Sequence, residues 1–236
     1  MPTVVFSSSK GGAGKTTSAF LLATQLAKVY QVTLVDADPN RPITRWATGG
    51  KTPADLTIVS DADEDNILDR IEEAASKTPF VIVDLEGTAA KIVLLAVSQA
   101  DFVIIPTQGS ELDATEASRG IRVVKQHEKI TGRVMPYAVL MTRTNATIRT
   151  RNTTQIERSL HQASIPVFDT ELNEREAFKS VFAFRETLDG LNPIEVANLD
   201  KAKKNIEEFT LELLDKLTKN HTRAGQTAQL TTAGAT

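Results

Sequence analysis

The residues best suited to chemistry lie near the start of the chain, between positions 9 and 17. In order they are Ser9, Lys10, Gly11, Gly12, Ala13, Gly14, Lys15, Thr16 and Thr17. Glycines let backbone N–H groups approach an anion closely, and a helix that begins here adds unpaired N–H groups and the positive end of its dipole. In such a loop Lys15 reaches the β- and γ-phosphates and the Thr16 hydroxyl binds Mg²⁺. The segment predicts a nucleoside triphosphate site, with a glycine-rich helix cap as the structural alternative.

Two further apolar segments end in carboxylates. Residues 32–35 lead into Asp36 and Asp38, and residues 80–83 lead into Asp84. Open α/β folds bind ligands at the carboxyl ends of parallel strands, so we expect these side chains near the loop. A carboxylate there can orient an attacking water or complete a magnesium shell. We interpret Asp36 and Asp84 as metal residues; a turn built on Asp and Pro is the alternative for the first segment.

The rest of the chain predicts the scaffold that positions these residues. Strands alternate with helices, which is typical of an α/β fold with a mainly parallel sheet and helices on both faces. The predicted strands are 3–8, 32–35, 56–59, 80–84, 101–106, 134–141 and 165–168, and the predicted helices are 16–29, 64–77, 89–98, 112–130, 174–188 and 195–218. We expect one domain over 1–218. The Thr-, Ala- and Gly-rich tail over 219–236 lacks an apolar face and predicts disorder.

Composition narrows the functional classes. The chain has 236 residues, with 27 Lys and Arg against 30 Asp and Glu, so only a local basic patch could bind nucleic acid. It has no cysteine, which excludes disulfides, thiolate metal sites and cysteine catalysis. No targeting region precedes the first strand, and no apolar run approaches the length that spans a bilayer. We therefore expect a cytoplasmic protein with no membrane partner.

Two residues distinguish this loop from an ordinary phosphate loop. Ser9 stands where the ordinary loop has Gly, and Lys10 is an additional lysine. The pattern over residues 10–17 resembles the deviant Walker A loop of the ParA/MinD family of P-loop ATPases, and residues 36–39 match that family's Asp-x-Asp-Pro motif. The resemblance implies a P-loop NTPase fold, with ATP as substrate and Mg²⁺ as cofactor. It also implies a homodimer in which Lys10 touches the phosphates of the second subunit. Asp38 would position the hydrolytic water, so the implied catalytic residues are Asp38, Lys10 and Lys15.

Two more groups of residues follow later in the chain. In this fold a polar residue after the strand 134–141 often contacts the base, which indicates Thr142 and Arg143. A basic stretch contains one glutamate, Glu157, and four arginines: Arg143, Arg149, Arg151 and Arg158. A solvated helix face is one interpretation of these arginines, and DNA-phosphate binding is the other. Resemblance to partition ATPases, which bind DNA without sequence preference, supports the second.

Three functions fit this sequence. The first is a ParA-type switch for plasmid or chromosome partition, in which an ATP-bound dimer sits on the nucleoid and a centromere-binding, ParB-like protein speeds hydrolysis. The second follows from residues 40–46, which resemble a ParA-like ATPase that promotes T-DNA transfer; here the partner would be a DNA-transfer complex. Trp46 in that stretch is interpreted as a half-buried anchor on a short helix. The third is a metabolic ATP-dependent ligase or kinase, which the second lysine disfavours.

Overall fold

The computed structural model describes residues 1–8, 11–86, 90–109 and 111–233. Its strands are β1 (Thr3–Phe6), β2 (Val32–Ala37), β3 (Leu56–Val59), β4 (Phe80–Leu85), β5 (Phe102–Thr107), β6 (Tyr137–Thr144) and β7 (Leu172–Asn173). They form one sheet in the order β3-β2-β4-β1-β5-β6-β7, and all of the pairings are parallel. The predicted α/β fold class is confirmed. Because β1 lies between β4 and β5, the loop that follows it leaves from the centre of the ligand-binding edge.

Helices cover both faces of this sheet. They are α1 (Lys15–Leu26), α2 (Pro42–Ala47), α3 (Ile67–Lys77), α4 (Ala90–Ser98), α5 (Glu111–Thr131), α6 (Arg151–Gln162), α7 (Glu176–Ala183) and α8 (Leu199–Ala233). One core contains side chains of α1, α2, α7 and α8, and the other contains side chains of α3 to α6. Val4 and Phe6 face the first core and Val5 the second. Burial on both faces explains why the central strands are continuously apolar.

The last strand differs from the sequence prediction. We predicted it at residues 165–168, where the structure has a single bridge between Val139 and Val167. Strand β7 lies further along the chain, and its Leu172 and Asn173 pair with the end of β6. Pro166 has no N–H to donate, so a regular ladder cannot run through this segment.

The last two helices also differ from their predictions. Helix α7 ends at Ala183, well short of the predicted end at 188, and Arg185 then adopts a left-handed φ of 54°. Helix α8 continues to Ala233, whereas composition predicted disorder from 219. Lysine, glutamine and alanine in this segment are good helix formers, and Lys219 pairs with Asp215 one turn earlier. Among the described residues, no helix is long and apolar enough to cross a membrane.

Candidate nucleotide-binding site

The glycine-rich loop joins the end of β1 to the first turn of α1. Gly12 and Gly14 have φ angles of +82° and +86°, in the left-handed region that L residues avoid. A Cβ at Gly14 would also lie 3.4 Å from the Thr142 side chain. Lys15 is the first residue of α1 and is only 7% exposed. The backbone therefore requires glycine at both positions, and the unpaired N–H groups of α1 begin where a phosphate would bind.

Two side chains from neighbouring strand ends support this loop. Gln108 Nε2 donates to the Gly12 carbonyl at 2.6 Å, and Thr142 Oγ1 donates to the Ala13 carbonyl at 2.8 Å. Thr142 is 3% exposed, and its hydroxyl also lies 3.3 Å from the Thr107 carbonyl. The sequence interpretation assigned Thr142 to the base. In the structure its hydroxyl is bonded to the phosphate loop, and Thr142 also lines the cavity described below.

Asp36 and Asp84 occupy paired positions on the adjacent strands β2 and β4, and both are fully buried. Asp36 Oδ2 accepts hydrogen bonds from the Thr44 N–H at 2.8 Å and the Thr44 hydroxyl at 2.7 Å. Asp36 Oδ1 and both Asp84 oxygens accept no hydrogen bond of normal geometry from the described residues. Such uncompensated buried oxygens are costly to keep ionised. Burial accordingly raises the pKa of Asp84 to about 7, against the opposing effects of the Thr16 hydroxyl and Lys15 ammonium, and it raises the pKa of Asp36 as well.

These oxygens fit a hard cation such as Mg²⁺, which prefers oxygen ligands. The predicted metal residues Thr16, Asp36 and Asp84 lie at this one edge of the sheet. Within the described part of the chain, no group of three or more His, Cys, Asp or Glu side chains could hold a metal. An ion here would therefore depend on the Thr16 hydroxyl, phosphate oxygens and water as well as the carboxylates.

Asp38 lies just beyond β2 and is half-buried. Its Oδ1 accepts the Asn40 N–H at 2.8 Å, and its carbonyl accepts the Arg41 N–H at 2.8 Å. Arg41 has a left-handed φ of 48°, and its guanidinium donates to the Asp36 carbonyl. A tight turn thus fixes the backbone of Asp38, while its second carboxylate oxygen has no hydrogen bond from the described residues and is able to contact a water.

A cavity of about 240 Å³ opens beside the phosphate loop. Its apolar lining consists of Leu21, Leu172, Phe178 and Phe182, and Gly14 and Thr17 also line it. A mostly apolar cavity with polar groups at its rim is the usual site for a ligand ring. Its position next to the loop indicates the base of a nucleotide.

A polar network holds the rim of this cavity. Asn173 Nδ2 donates to Thr144 Oγ1 at 2.9 Å, and Arg175 Nη2 donates to Asn173 Oδ1 at 3.0 Å. Asn205 on α8 accepts from the Asn173 N–H and donates to the Glu171 carbonyl. The sequence interpretation named Thr142 and Arg143 on this side of the site, and it missed the residues of β7, α7 and α8. The four-residue spacing of Phe178 and Phe182 was the available signal, since it places both rings on one face of a helix.

The four arginines of the predicted basic stretch lie in different environments in the structure. Arg149 Nη2 lies 2.6 Å from Glu157 Oε1 and 2.9 Å from Glu171 Oε1, and these carboxylates raise its pKa. Arg143 is exposed, has a left-handed φ of 52° and lines the cavity. Arg151 and Arg158 are exposed on α6 and form no ion pair with any other described residue. Ser9 and Lys10 lie outside the described residues.

The central strand, the left-handed glycines and the buried carboxylates define a P-loop nucleotide-binding protein. The VirC1 protein family matches residues 1–210. Protein ParA of Rhizobium radiobacter is 38% identical over 219 residues, covering 92% of this chain and 98% of that protein. The chain belongs to the VirC1 family, within the ParA/MinD-type ATPases, as the loop predicted.

Two further comparisons agree with this assignment. Protein virC1 of Rhizobium rhizogenes is 33% identical over 187 residues, covering 77% of this chain and 80% of that protein. The ATP complex of a substituted Cyanothece McdA has a TM-score of 0.72 at 17% identity, covering 90% of this chain and 96% of that chain. The second likeness confirms the fold.

Proposed function

We propose that this chain is a Mg²⁺-dependent ATPase switch of the ParA type, which dimerises on ATP and binds DNA without sequence preference. One observation carries the proposal: a phosphate loop with two left-handed glycines begins at the sheet edge where Asp36, Asp38 and Asp84 lie. An ATP complex is known for a protein with this fold. Phosphates bound at the loop would therefore lie beside all three carboxylates.

Each residue of the phosphate side has a separate task. Backbone N–H groups of residues 11–17 bind phosphate oxygens, and the Lys15 ammonium compensates the charge on the β- and γ-phosphates. Thr16, Asp36 and Asp84 would hold Mg²⁺, which when bound screens the charge of the phosphates. Asp38 orients the attacking water through the carboxylate oxygen that the turn leaves available. Lys10 crosses to the phosphates of a second subunit, as the ParA/MinD resemblance implies.

The DNA surface of this proposal centres on α6. Arg151 and Arg158 are seven residues apart, which places them on the same side of a helix. Both are exposed and available to phosphates. Arg149 is less suited, because two carboxylates already compensate its charge. Arg143 contributes to DNA binding only if it turns away from the cavity that it lines.

A second candidate function keeps the ATPase and changes the partner. Residues 40–46 suggested recruitment of a DNA-transfer complex, and the match to the VirC1 family supports that resemblance. These residues form the end of the Asp38 turn and most of α2. The partition candidate instead requires a centromere-binding partner that accelerates hydrolysis.

The test is duplex DNA binding with ATP, with ADP and without nucleotide, over a series of salt concentrations. We expect binding in ATP alone, weakening as salt rises because phosphate contacts release counterions. Arg151→Ala/Arg158→Ala should abolish it. Lys201→Ala/Lys204→Ala is the matched control, since it removes the same charge from α8 on the opposite face of the sheet. Absence of binding in every nucleotide state would contradict the DNA part of the proposal.

The two candidate functions then separate by partner. Co-purification with a centromere-binding protein that raises ATP turnover would favour partition, and co-purification with a relaxase–DNA complex would favour DNA transfer.

A further inference from the structure

Trp46 connects helix α2, which follows the Asp38 turn, with helix α7, which lines the base cavity. It is the single tryptophan of the chain and is 2% exposed, more deeply buried than the sequence interpretation held. Its ring lies on α2, and its Nε1–H donates to the Val181 carbonyl of α7 at 2.9 Å. An indole N–H bond of this length is directional, so it fixes the position of one helix against the other.

Helix α2 fixes the segment that carries Asp36 and Asp38. Thr44, in the same six-residue helix as Trp46, provides both hydrogen bonds to Asp36 Oδ2. Arg41, immediately before this helix, donates its N–H to the Asp38 carbonyl and its guanidinium to the Asp36 carbonyl. A shift of α2 therefore moves the turn that presents Asp38.

Helix α7 forms a wall of the base cavity. Phe178 and Phe182 lie on either side of Val181 in this helix, and both line the cavity. Phe20 of α1 packs against both helices, with its ring centre 4.5 Å from that of Trp46 and 5.1 Å from that of Phe182. Close-packed aromatic side chains transmit displacement instead of absorbing it.

We propose that Trp46 is a positioning residue that couples occupancy of the base cavity to the placement of Asp38. A base in the cavity fixes α7, the Val181 carbonyl fixes Trp46, and α2 then holds the turn from Asp36 to Arg41. The inference rests on the proposed function, because it requires a nucleotide in the cavity and a catalytic role for Asp38. It predicts that the base contributes to turnover as well as to affinity.

The first experiment uses the unmodified protein and the fluorescence of its single tryptophan. ADP with Mg²⁺ should change the Trp46 emission, whereas inorganic pyrophosphate with Mg²⁺, which lacks a base, should leave it unchanged. Calorimetry on the same samples shows that each probe is bound. Bound ADP with no emission change, or an equal change with both probes, would overturn the coupling. Absence of ADP binding would instead contradict the proposed function.

The second experiment separates turnover from binding. Trp46→Phe keeps an aromatic side chain, smaller than the indole, and removes the hydrogen bond. We expect kcat to fall about tenfold because Asp38 is misplaced, with the Kd for ATP changed less than about threefold. Phe209→Leu is the control, since it perturbs the same core at a buried position of α8, against Phe168. Equal losses of kcat in the two variants, or a loss confined to Kd, would overturn the role of Trp46.

Discussion

The phosphate side and the base side of this site are built in different ways. The phosphate side comes from one continuous segment, residues 11–17, and from carboxylates at the ends of two adjacent strands. The base side takes its walls from α1, β6, β7 and α7, which are far apart in the sequence. Backbone N–H groups require glycine at fixed positions, whereas a cavity wall requires only apolar volume. Substitutions should therefore abolish function on the first side and reduce it gradually on the second.

The largest effect is expected at Lys15. Lys15→Ala removes the buried ammonium at the start of α1, and we expect ATP affinity to fall by roughly 10²–10³-fold. Calorimetry with ATP and Mg²⁺ measures this loss. Lys77→Ala, which removes an exposed lysine of α3, should leave the affinity unchanged. Wild-type affinity in Lys15→Ala would show that phosphates bind elsewhere.

Asp84 should make the stability of the metal-free protein depend on pH. Its pKa is raised to about 7, so between about pH 4 and 7 the folded state holds a proton that the unfolded state has released. The free energy of unfolding should therefore decrease as pH rises through this window, by up to about 4 kcal/mol. Asp84→Asn should remove the part of the decrease that comes from Asp84, leaving the part that comes from Asp36, whose pKa is raised as well. It should also remove the Mg²⁺ dependence of ATP binding.

Chemical unfolding in a chelator, from pH 4 to 8, measures the slope. Asp215→Asn, an exposed position on α8, is the control and should retain it. A wild-type protein that becomes more stable from pH 4 to 7, with Asp84→Asn showing the same profile, would contradict the assignment.

Two glycines with similar backbone angles offer a matched test of the loop. Gly14 and Gly132 have φ angles of +86° and +69°, so alanine strains either position by about 1–2 kcal/mol. Thermal unfolding should detect a comparable loss in both variants. Only Gly14→Ala should weaken ATP binding, by about tenfold or more, because Gly132 lies after α5, away from the loop. Equal ATP affinity in the two variants would show that the loop containing Gly14 does not bind the phosphates.

The smallest effect is expected on the base side. Phe178→Leu removes part of one cavity wall and should weaken ADP binding by about 1 kcal/mol, or roughly fivefold. Pyrophosphate binding should not change, because it requires only the phosphate side. Competition titrations with both ligands test this difference, with Phe209→Leu as the buried control. An equal loss of affinity for ADP and for pyrophosphate would show that the phosphate side and the base side do not bind independently.

The same contrast explains what the sequence could predict. Gly12, Gly14 and the carboxylates at strand ends are local signals, because glycine conformation and parallel-strand topology place them directly. The base cavity depends on β7, and a strand of two residues has too few positions to show an alternating pattern. Pro166 lies in the more apolar segment that was predicted as the strand instead.

Contacts between distant residues account for the remaining differences. The basic stretch was visible in the sequence, but Arg149 pairs with Glu171, which lies 22 positions further along the chain. The link from Trp46 to Val181 likewise spans 135 positions. The type of a residue does not identify a contact partner far away in the sequence. These contacts are therefore visible only in the folded structure.

The central claim is that this sheet edge hydrolyses ATP with water placed by Asp38. The most direct measurement is single-turnover hydrolysis of ATP by Asp38→Ala, with ATP affinity measured on the same preparation. We predict affinity within about threefold of wild type and a loss of hydrolysis of at least about a hundredfold, since the substitution removes a group that acts on the water and not on the phosphates. Hydrolysis at the wild-type rate would contradict the account.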